Sequence, residues 1–323
     1  MTAQSAMLSH LPTIDDVRDA ADRIRPFIHR TPIVRSHSLD RLIGAQLFFK
    51  CENLQKVGAF KARGACNAVM MLDEGVAKLG VVTHSSGNHA QALAYAARLR
   101  GIQCTIVMPS NAPKVKMDAV REYGATIVLC EPTLQARLST MQQIVDTTGA
   151  HPVPPYDDAR VIAGQGTAAL ELLEDLPDLD VVMAPVGGGG LLSGTAIVVR
   201  ALCPTVEIIG AEPEIADDAK RSMESGIRQP PTTTLTIADG LRTALGEIPF
   251  AVLQQTQVRI VTATEKSIID GLCHMMERLK IVVEPSASVT LGAILDDPQL
   301  VRGKRVGIIV CGGNLDVRTH LKF

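Results

Sequence analysis

The stretch VVMAPVGGGGLLSG, residues 181–194, decides how the rest of the chain is read. Its first six residues are an apolar run without alternation, the pattern of a strand covered on both faces. Gly187, Gly188, Gly189 and Gly190 follow, and then LLSGTAIVVRAL, an apolar segment of helical composition. Glycines let a backbone come close to a ligand, and the first turn of a helix offers unpaired N–H groups to an anion. The stretch therefore predicts a strand–loop–helix cradle for a phosphate. It is no Walker A loop, since no Gly-Lys-Ser/Thr follows, and it departs from GxGxxG, since Leu192 stands three residues after Gly189. A tight turn also uses glycine, but four in a row after a buried strand exceed what a turn needs.

Strands and helices alternate on both sides of this stretch. Upstream, GVVTH (80–84), CTIVM (104–108) and TIVLC (126–130) read as strands. Helices follow them: one through about Leu99, one over 113–124 with Pro113 in its first turn and Gly124 at its stop, and one over 134–149. Downstream come TAALELLEDL (167–176) as a helix, EIIGAE (207–212) as a strand and RQPPTTTLT (228–236) as a loop. EKSIIDGLCHMMERLK (265–280) and ASVTLGAIL (287–295) read as helices, and VGIIV (306–310) as a last strand. Toward the N-terminus, Thr13 and Asp16 make a capping pattern for a helix reaching about Ile28, AQLFFK (45–50) reads as a strand, and KARGACNAVMML (61–72) as a helix. Such alternation predicts parallel strands joined by right-handed crossovers. HPVPPYDD (151–158) breaks the rhythm with three prolines and reads as a domain crossing. The expected class is α/β with two open twisted parallel-sheet domains. A large one spans 1–52 and 151–323, and a small mobile one spans 53–150. Ligands in such sheets bind beyond the carboxyl ends of strands.

Bulk composition narrows the function. The 323 residues are 46% hydrophobic, 20% charged and only 3% aromatic, with no Trp and a net charge of -2. That balance fits a soluble globular protein and argues against nucleic acid or an anionic membrane as partner. No apolar run reaches the ~18 to 20 residues of a membrane span. Residues 1–16 lack the basic head and apolar stretch of a signal peptide. Seven cysteines without a CxxC pair speak against a disulfide framework or zinc site and for a cytoplasmic location.

Two further junctions carry chemistry. In THSSGNHAQALAYAA (83–97), Ser85, Ser86, Gly87 and Asn88 gather at the start of an alanine-rich helix, a setting suited to a carboxylate. Ordinary capping needs one such residue. In VGAFKARGACNAV (57–69), Lys61 follows Phe60 at a helix start in apolar surroundings. Its pKa should be lowered and its amine more nucleophilic, although on spacing alone a surface lysine is the commoner reading.

Taken together the segments resemble the fold-type II pyridoxal-phosphate enzymes, whose fold is tryptophan synthase β-like, and within them the serine racemase and serine/threonine dehydratase group with its 3-hydroxyaspartate dehydratases. GAFKARGA resembles the S-F-K-x-R-G-A lysine motif. HSSGNHAQ resembles the S-S-G-N-H-G-Q substrate loop, with Ala90 where Gly is usual, and APVGGGGLLSG resembles the phosphate loop. VIAGQGTAALE (161–171), GAEPEIADDA (210–219), IADGLRT (237–243) and VVEPSASV (282–289) also match, and CGGNLD (311–316) is similar to S-G-G-N-V-D with Cys311 in place of Ser. The resemblance runs essentially the whole length.

It implies pyridoxal 5'-phosphate held by Lys61 as an imine, with Lys61 then acting as base on Cα. Phe60 would lie near the pyridine ring and Glu284 at its side. Gly187, Gly188, Gly189, Gly190 and Leu191 would give N–H groups to the phosphate. Asn88 would bond the ring 3-hydroxyl, and Cys311 would face the ring nitrogen as a neutral partner. Ser85, Ser86, Gly87 and His89 would hold the substrate carboxylate, and in racemases the match to Ser86 is the acid/base on the opposite face. Asp239 and Arg242 would reach the substrate, and Arg242 could pair with a second carboxylate such as that of 3-hydroxyaspartate. Glu212, Asp218 and the carbonyl of Ala216 would bind Mg²⁺ (or Ca²⁺ or Mn²⁺). Arg137 matches an arginine linked to nucleotide effectors, though a surface arginine is the default reading there. The implied reaction removes water and ammonia from L-serine, L-threonine or 3-hydroxyaspartate to leave a 2-keto acid. Racemisation of serine or aspartate at the same site is the alternative, and homodimers are usual. A nicotinamide oxidoreductase would require GxGxxG, and a non-catalytic relative would have lost the lysine or the glycines; neither condition is met.

Overall fold

The computed structural model describes residues 11–233 and 235–316. Residues 1–10, part of the stretch read for a leader, lie outside them, as does Thr234 of the 228–236 loop.

Two sheets organise the chain. The larger has the order β1 (Ile33–Arg35), β2 (Gln46–Cys51), β10 (Arg305–Val310), β7 (Val181–Pro185), β8 (Glu207–Pro213) and β9 (Arg259–Ala263). The smaller has the order β5 (Thr126–Cys130), β4 (Cys104–Pro109), β3 (Val81–His84) and β6 (His151–Pro152). All pairings are parallel except β1 with β2. Every residue of β7 is buried, as its unbroken apolar run requires. β2, β10 and β7 are neighbours, so the loops after Cys51, Val310 and Pro185 leave one edge of the large sheet together.

Each sheet has its own core. Leu47, Phe49, Met183, Ile208 and Ile308 fill the larger. The smaller rests on alanines, among them Ala62, Ala65, Ala68, Ala92 and Ala96, with Ile106 and Met108. Small side chains let the helices Lys61–Met70 and Asn88–Arg100 pack closely, which answers the scarcity of aromatic residues. The helix Ala159–Asp175 lies between the helices Lys61–Met70 and Gly190–Leu202. It touches the first at Gly164 against Gly64 and the second at Gly166 against Gly194, where any Cβ would strike backbone.

Several expectations need correction. The first helix keeps its capping box but stops at Ile24, just before Pro26. β1 is antiparallel, so the large sheet is not wholly parallel. The helix Ala159–Asp175 starts eight residues before the expected 167–176, directly after the prolines, with Asp158 capping it. The expected 265–280 helix passes into a π turn at Met275–Leu279 and ends on Lys280 in the left-handed region (φ 60°). The helices His37–Ile43 and Glu247–Gln255 and the strands β1, β6 and β9 were not anticipated; β6 and β1 are two and three residues long, too short to show a period. Among the described residues, no helix is long and apolar enough to cross a membrane.

Candidate active site

Lys61 is the first residue of the helix Lys61–Met70, and the backbone N–H of Phe60 before it donates to the Cys311 carbonyl at 3.0 Å. The start of the helix is thereby fixed to the end of β10. The Lys61 Nζ donates to the Pro155 carbonyl at 2.5 Å and lies 5.0 Å from the Phe60 ring centre. Burial lowers its pKa to about 8, with Cys311 and Glu284 opposing the shift. The amine is thus partly neutral near physiological pH, as its apolar setting suggested.

Glu284 is the hub beside it. Asn88 Nδ2 donates to both its oxygens, at 3.0 and 3.1 Å, and the Asn314 N–H to Oε2 at 3.3 Å. Cys311 Sγ stands 3.8 Å from Oε1. Asn314 Nδ2 donates to Asn88 Oδ1 and to the Val57 carbonyl, each at 2.8 Å. Burial pushes Glu284 up to about 7 and holds the Cys311 thiol well above its usual range, so Cys311 is a neutral group. Gly312 has no room for a side chain here: a Cβ would lie 2.8 Å from Glu284 Oε1.

The glycine loop is packed from behind by the protein itself. A Cβ on Gly187 would meet the Leu241 backbone at 3.0 Å, one on Gly188 the Tyr156 ring at 2.2 Å, and one on Gly189 Leu245 at 2.5 Å. Gly189 also has φ +89°, which suits glycine alone. The helix begins at Gly190, so the amides of its first turn lack intrahelical acceptors.

At the end of β3, Ser85, Ser86, Gly87 and Asn88 are all half-buried. A Cβ on Gly87 would meet nothing within 4 Å, so the loop borders open space. His89 corrects the expectation set for it. It is buried, and its Nε2 bonds the Val153 carbonyl at 2.9 Å. Burial and the nearby Lys61 drop its pKa to about 3. A neutral imidazole donating from Nε2 has no second proton for a carboxylate. Asp239 is already paired, accepting from Lys116 Nζ at 2.7 Å, while Gly240 N–H donates to Ser286 Oγ at 2.9 Å. Arg242 is exposed and donates from Nε and Nη2 to the Thr236 carbonyl, at 2.9 and 2.6 Å, rather than into the Glu284 cluster. Arg137 is half-buried on the helix Leu134–Thr148, and its Nε donates to the carbonyl of that helix's N-cap, Thr133, at 3.4 Å.

Comparison with known proteins decides what this arrangement serves. The family model described as "Pyridoxal-phosphate dependent enzyme" matches residues 24–312. The chain belongs to that family. It is 49% identical over 308 residues to the beta-hydroxyaspartate dehydratase of Paracoccus denitrificans, covering 95% of this chain and 98% of that one. It is 46% identical over 315 residues to the serine racemase of Dictyostelium discoideum, covering 96% and 97%. Maize serine racemase superposes with a TM-score of 0.94 at 42% identity, covering 96% of each chain. The α/β architecture is the fold-type II form of these pyridoxal-phosphate enzymes.

The residues present fit the family's cofactor: a buried amine of lowered pKa, a glycine loop opening a helix, and the side chains of Asn88, Glu284 and Cys311. They also fit a divalent cation. Glu212 and Asp218 are buried, and burial raises them to about 8 and about 6. Their hydrogen bonds come from backbone N–H groups, those of Ala219 and Lys220 to Glu212 and of Leu245 to Asp218. Two buried carboxylates met only by amides suit a hard cation with a carbonyl as third ligand. Among the described residues, no cluster of three or more His, Cys, Asp or Glu side chains is placed to hold a metal ion, so such a cation would depend on backbone carbonyls or water for its remaining ligands. Pro155, Tyr156, Thr243 and Asn314 were missed by sequence reasoning. The three-proline break at 151–158 was the available signal for the first two, and Asn314 lay within the quoted CGGNLD motif.

Proposed function

We propose that this pyridoxal-phosphate enzyme is an ammonia-lyase that removes water and ammonia from a small 3-hydroxy amino acid, 3-hydroxyaspartate before L-serine or L-threonine, to leave a 2-keto acid. The observation that carries it is the Lys61 amine, lowered to about 8 and grouped with the neutral Cys311 thiol and the Asn88–Glu284 pair. The 49% identity to a beta-hydroxyaspartate dehydratase supports the order of substrates.

Lys61 would hold the cofactor covalently, the amides of Gly187 to Leu191 would hold its phosphate, and Phe60, Asn88, Glu284 and Cys311 would surround its ring. Bound there, pyridoxal phosphate supplies an electron sink for the pair left when Cα loses its proton, a weaker one beside a thiol than beside a carboxylate. Ser85, Ser86 and Gly87 bind the substrate carboxylate at the helix start. Lys61 Nζ, nearly half neutral at pH 8, takes the Cα proton. Ser86 carries the second reading, amino-acid racemisation. Its side chain is half-buried, and among the described residues nothing bonds its hydroxyl, which leaves it able to carry a proton. Similarity to serine racemases supports this activity beside the first.

Glu212, Asp218 and the Ala216 carbonyl would bind Mg²⁺ (or Ca²⁺ or Mn²⁺) as a structural ion; chelation should then lower the melting temperature and added Mg²⁺ restore it. A cytoplasmic homodimer is the expected form, testable by sedimentation and fractionation. Product analysis on L- and D-serine, L-threonine and both 3-hydroxyaspartate diastereomers tests the activity. Borohydride should fix the cofactor to the Lys61 peptide, and a protein that stays colourless with added pyridoxal phosphate would refute the reading.

A further inference from the structure

The segment 155–158 touches Lys61, the glycine loop and the 243–248 stretch. The Pro155 carbonyl accepts from Lys61 Nζ. The Tyr156 ring occupies the space where Gly188 would carry a Cβ, with three ring carbons 2.2 to 2.5 Å from that position, and Tyr156 Cβ lies 3.0 Å from where a Cβ on Gly190 would stand. Tyr156 Oη shares a 2.8 Å hydrogen bond with Thr243 Oγ1, and the Thr243 methyl in turn lies 3.3 Å from the Cβ position of Gly187. Asp157 accepts from the N–H groups of Glu247 and Ile248, at 3.0 and 2.9 Å. Tyr156 and Thr243 therefore grip the glycine loop from two sides and are bonded to each other.

We propose that Tyr156 is a positioning residue with two separable parts. Its ring sets the conformation of Gly187–Gly190 that receives the cofactor phosphate, and its hydroxyl ties that loop to the Asp239–Thr243 segment. That segment borders the site through Gly240 and Ser286. The inference rests on the pyridoxal-phosphate reading above. It explains why glycine is required at 188 and 190 by packing rather than by the ligand alone.

The test titrates apoprotein with pyridoxal phosphate and separately measures KM and kcat of the holoenzyme, for wild type, Tyr156→Phe, Tyr156→Leu and Thr243→Val. Tyr156→Leu should weaken pyridoxal-phosphate binding by about tenfold or more. Tyr156→Phe and Thr243→Val should bind it within about twofold of wild type, yet both should raise KM several-fold with less change in kcat. Tyr156→Met, whose unbranched side chain reaches further along the space of the ring at similar volume, replaces Leu if that variant does not fold. A folded Tyr156→Leu or Tyr156→Met that binds pyridoxal phosphate like wild type overturns the role of the ring. A Tyr156→Phe that behaves as wild type while Thr243→Val does not overturns the tie. A wild type that takes up no pyridoxal phosphate instead overturns the functional reading itself.

Discussion

Gly164 lies directly on Gly64: a Cβ on Gly164 would stand 2.6 Å from the Gly64 Cα and 2.7 Å from the Arg63 carbonyl oxygen. The contact joins the helix that begins with Lys61 to the helix Ala159–Asp175, which on its other side meets the helix of the glycine loop through Gly166 and Gly194. One helix thus sets the spacing between the amine and the phosphate cradle. Gly164→Ala should force the Lys61 helix outward, lower stability by about 1–3 kcal/mol and weaken cofactor uptake. Urea denaturation and pyridoxal-phosphate titration measure both, and an unchanged protein would mean the helices part freely.

Arg63, two residues after Lys61, is fully buried and bonds two carboxylates at once. It reaches Glu52 through Nε and Nη2 at 2.7 and 2.8 Å, and Glu171 through Nη1 and Nη2 at 2.8 and 2.9 Å. Lys50 adds a second cation to Glu171 at 2.6 Å. Arg63→Met leaves two acidic groups with one cation in the core and should cost about 3–5 kcal/mol. Arg63→Lys should recover only part of that, since an ammonium cannot serve two forks. Equal denaturation midpoints for Met and wild type would contradict the account.

The Lys61 amine, lowered to about 8 by burial, should show that value in its reactivity. In apoprotein treated with an amine-selective acylating reagent, labelling of Lys61 should rise with pH, reach half its plateau near pH 8 and level off about one unit above that. Labelling of Lys266, whose ion pair with Asp270 raises its pKa, should still be climbing at 10.5. Quantitative mass spectrometry over a pH series reads both, and parallel profiles would show that Lys61 is an ordinary lysine.

Glu284 gives the opposite signature in stability. Burial raises it from 4.5 to about 7, so between those values the folded apoprotein holds a proton that the unfolded chain has lost. Stability from this group is present below pH 4.5 and is lost as pH rises through about 7. Glu284→Gln removes the effect. The variant should gain on wild type apoprotein as pH goes from 5 to 8, by on the order of 3 kcal/mol at most. Thermal melts at both pH values check this, and a difference that does not change with pH would count against it.

The sequence carried the parts of the fold that repeat. The strands around 104–108, 181–186 and 306–310 were legible because buried parallel strands are continuous apolar runs, and 126–130 because it is equally apolar although it lies half-exposed at the edge of its sheet. The short β1 and the edge strand β9 were not, since β9 mixes Arg259 and Thr262 into a half-covered face. In the site, Lys61, Asn88 and Gly187–190 stood in motifs. The burial of His89 was hidden, because a helix start and a helix interior differ by one residue there. Tyr156 was hidden for another reason: its partners are Gly188 and Thr243, far away in the chain, and only the folded backbone brings them together.

The burial of Cys311 has a practical side. A thiol held well above its usual pKa offers almost no thiolate at neutral pH, and Cys51, Cys66 and Cys104 are raised to about 12 by burial as well. Cys273 is exposed on the far helix Glu265–His274. Maleimide at neutral pH should therefore attach first at the exposed Cys273, ahead of the half-buried Cys130 and Cys203, and leave the buried Cys311 unmodified.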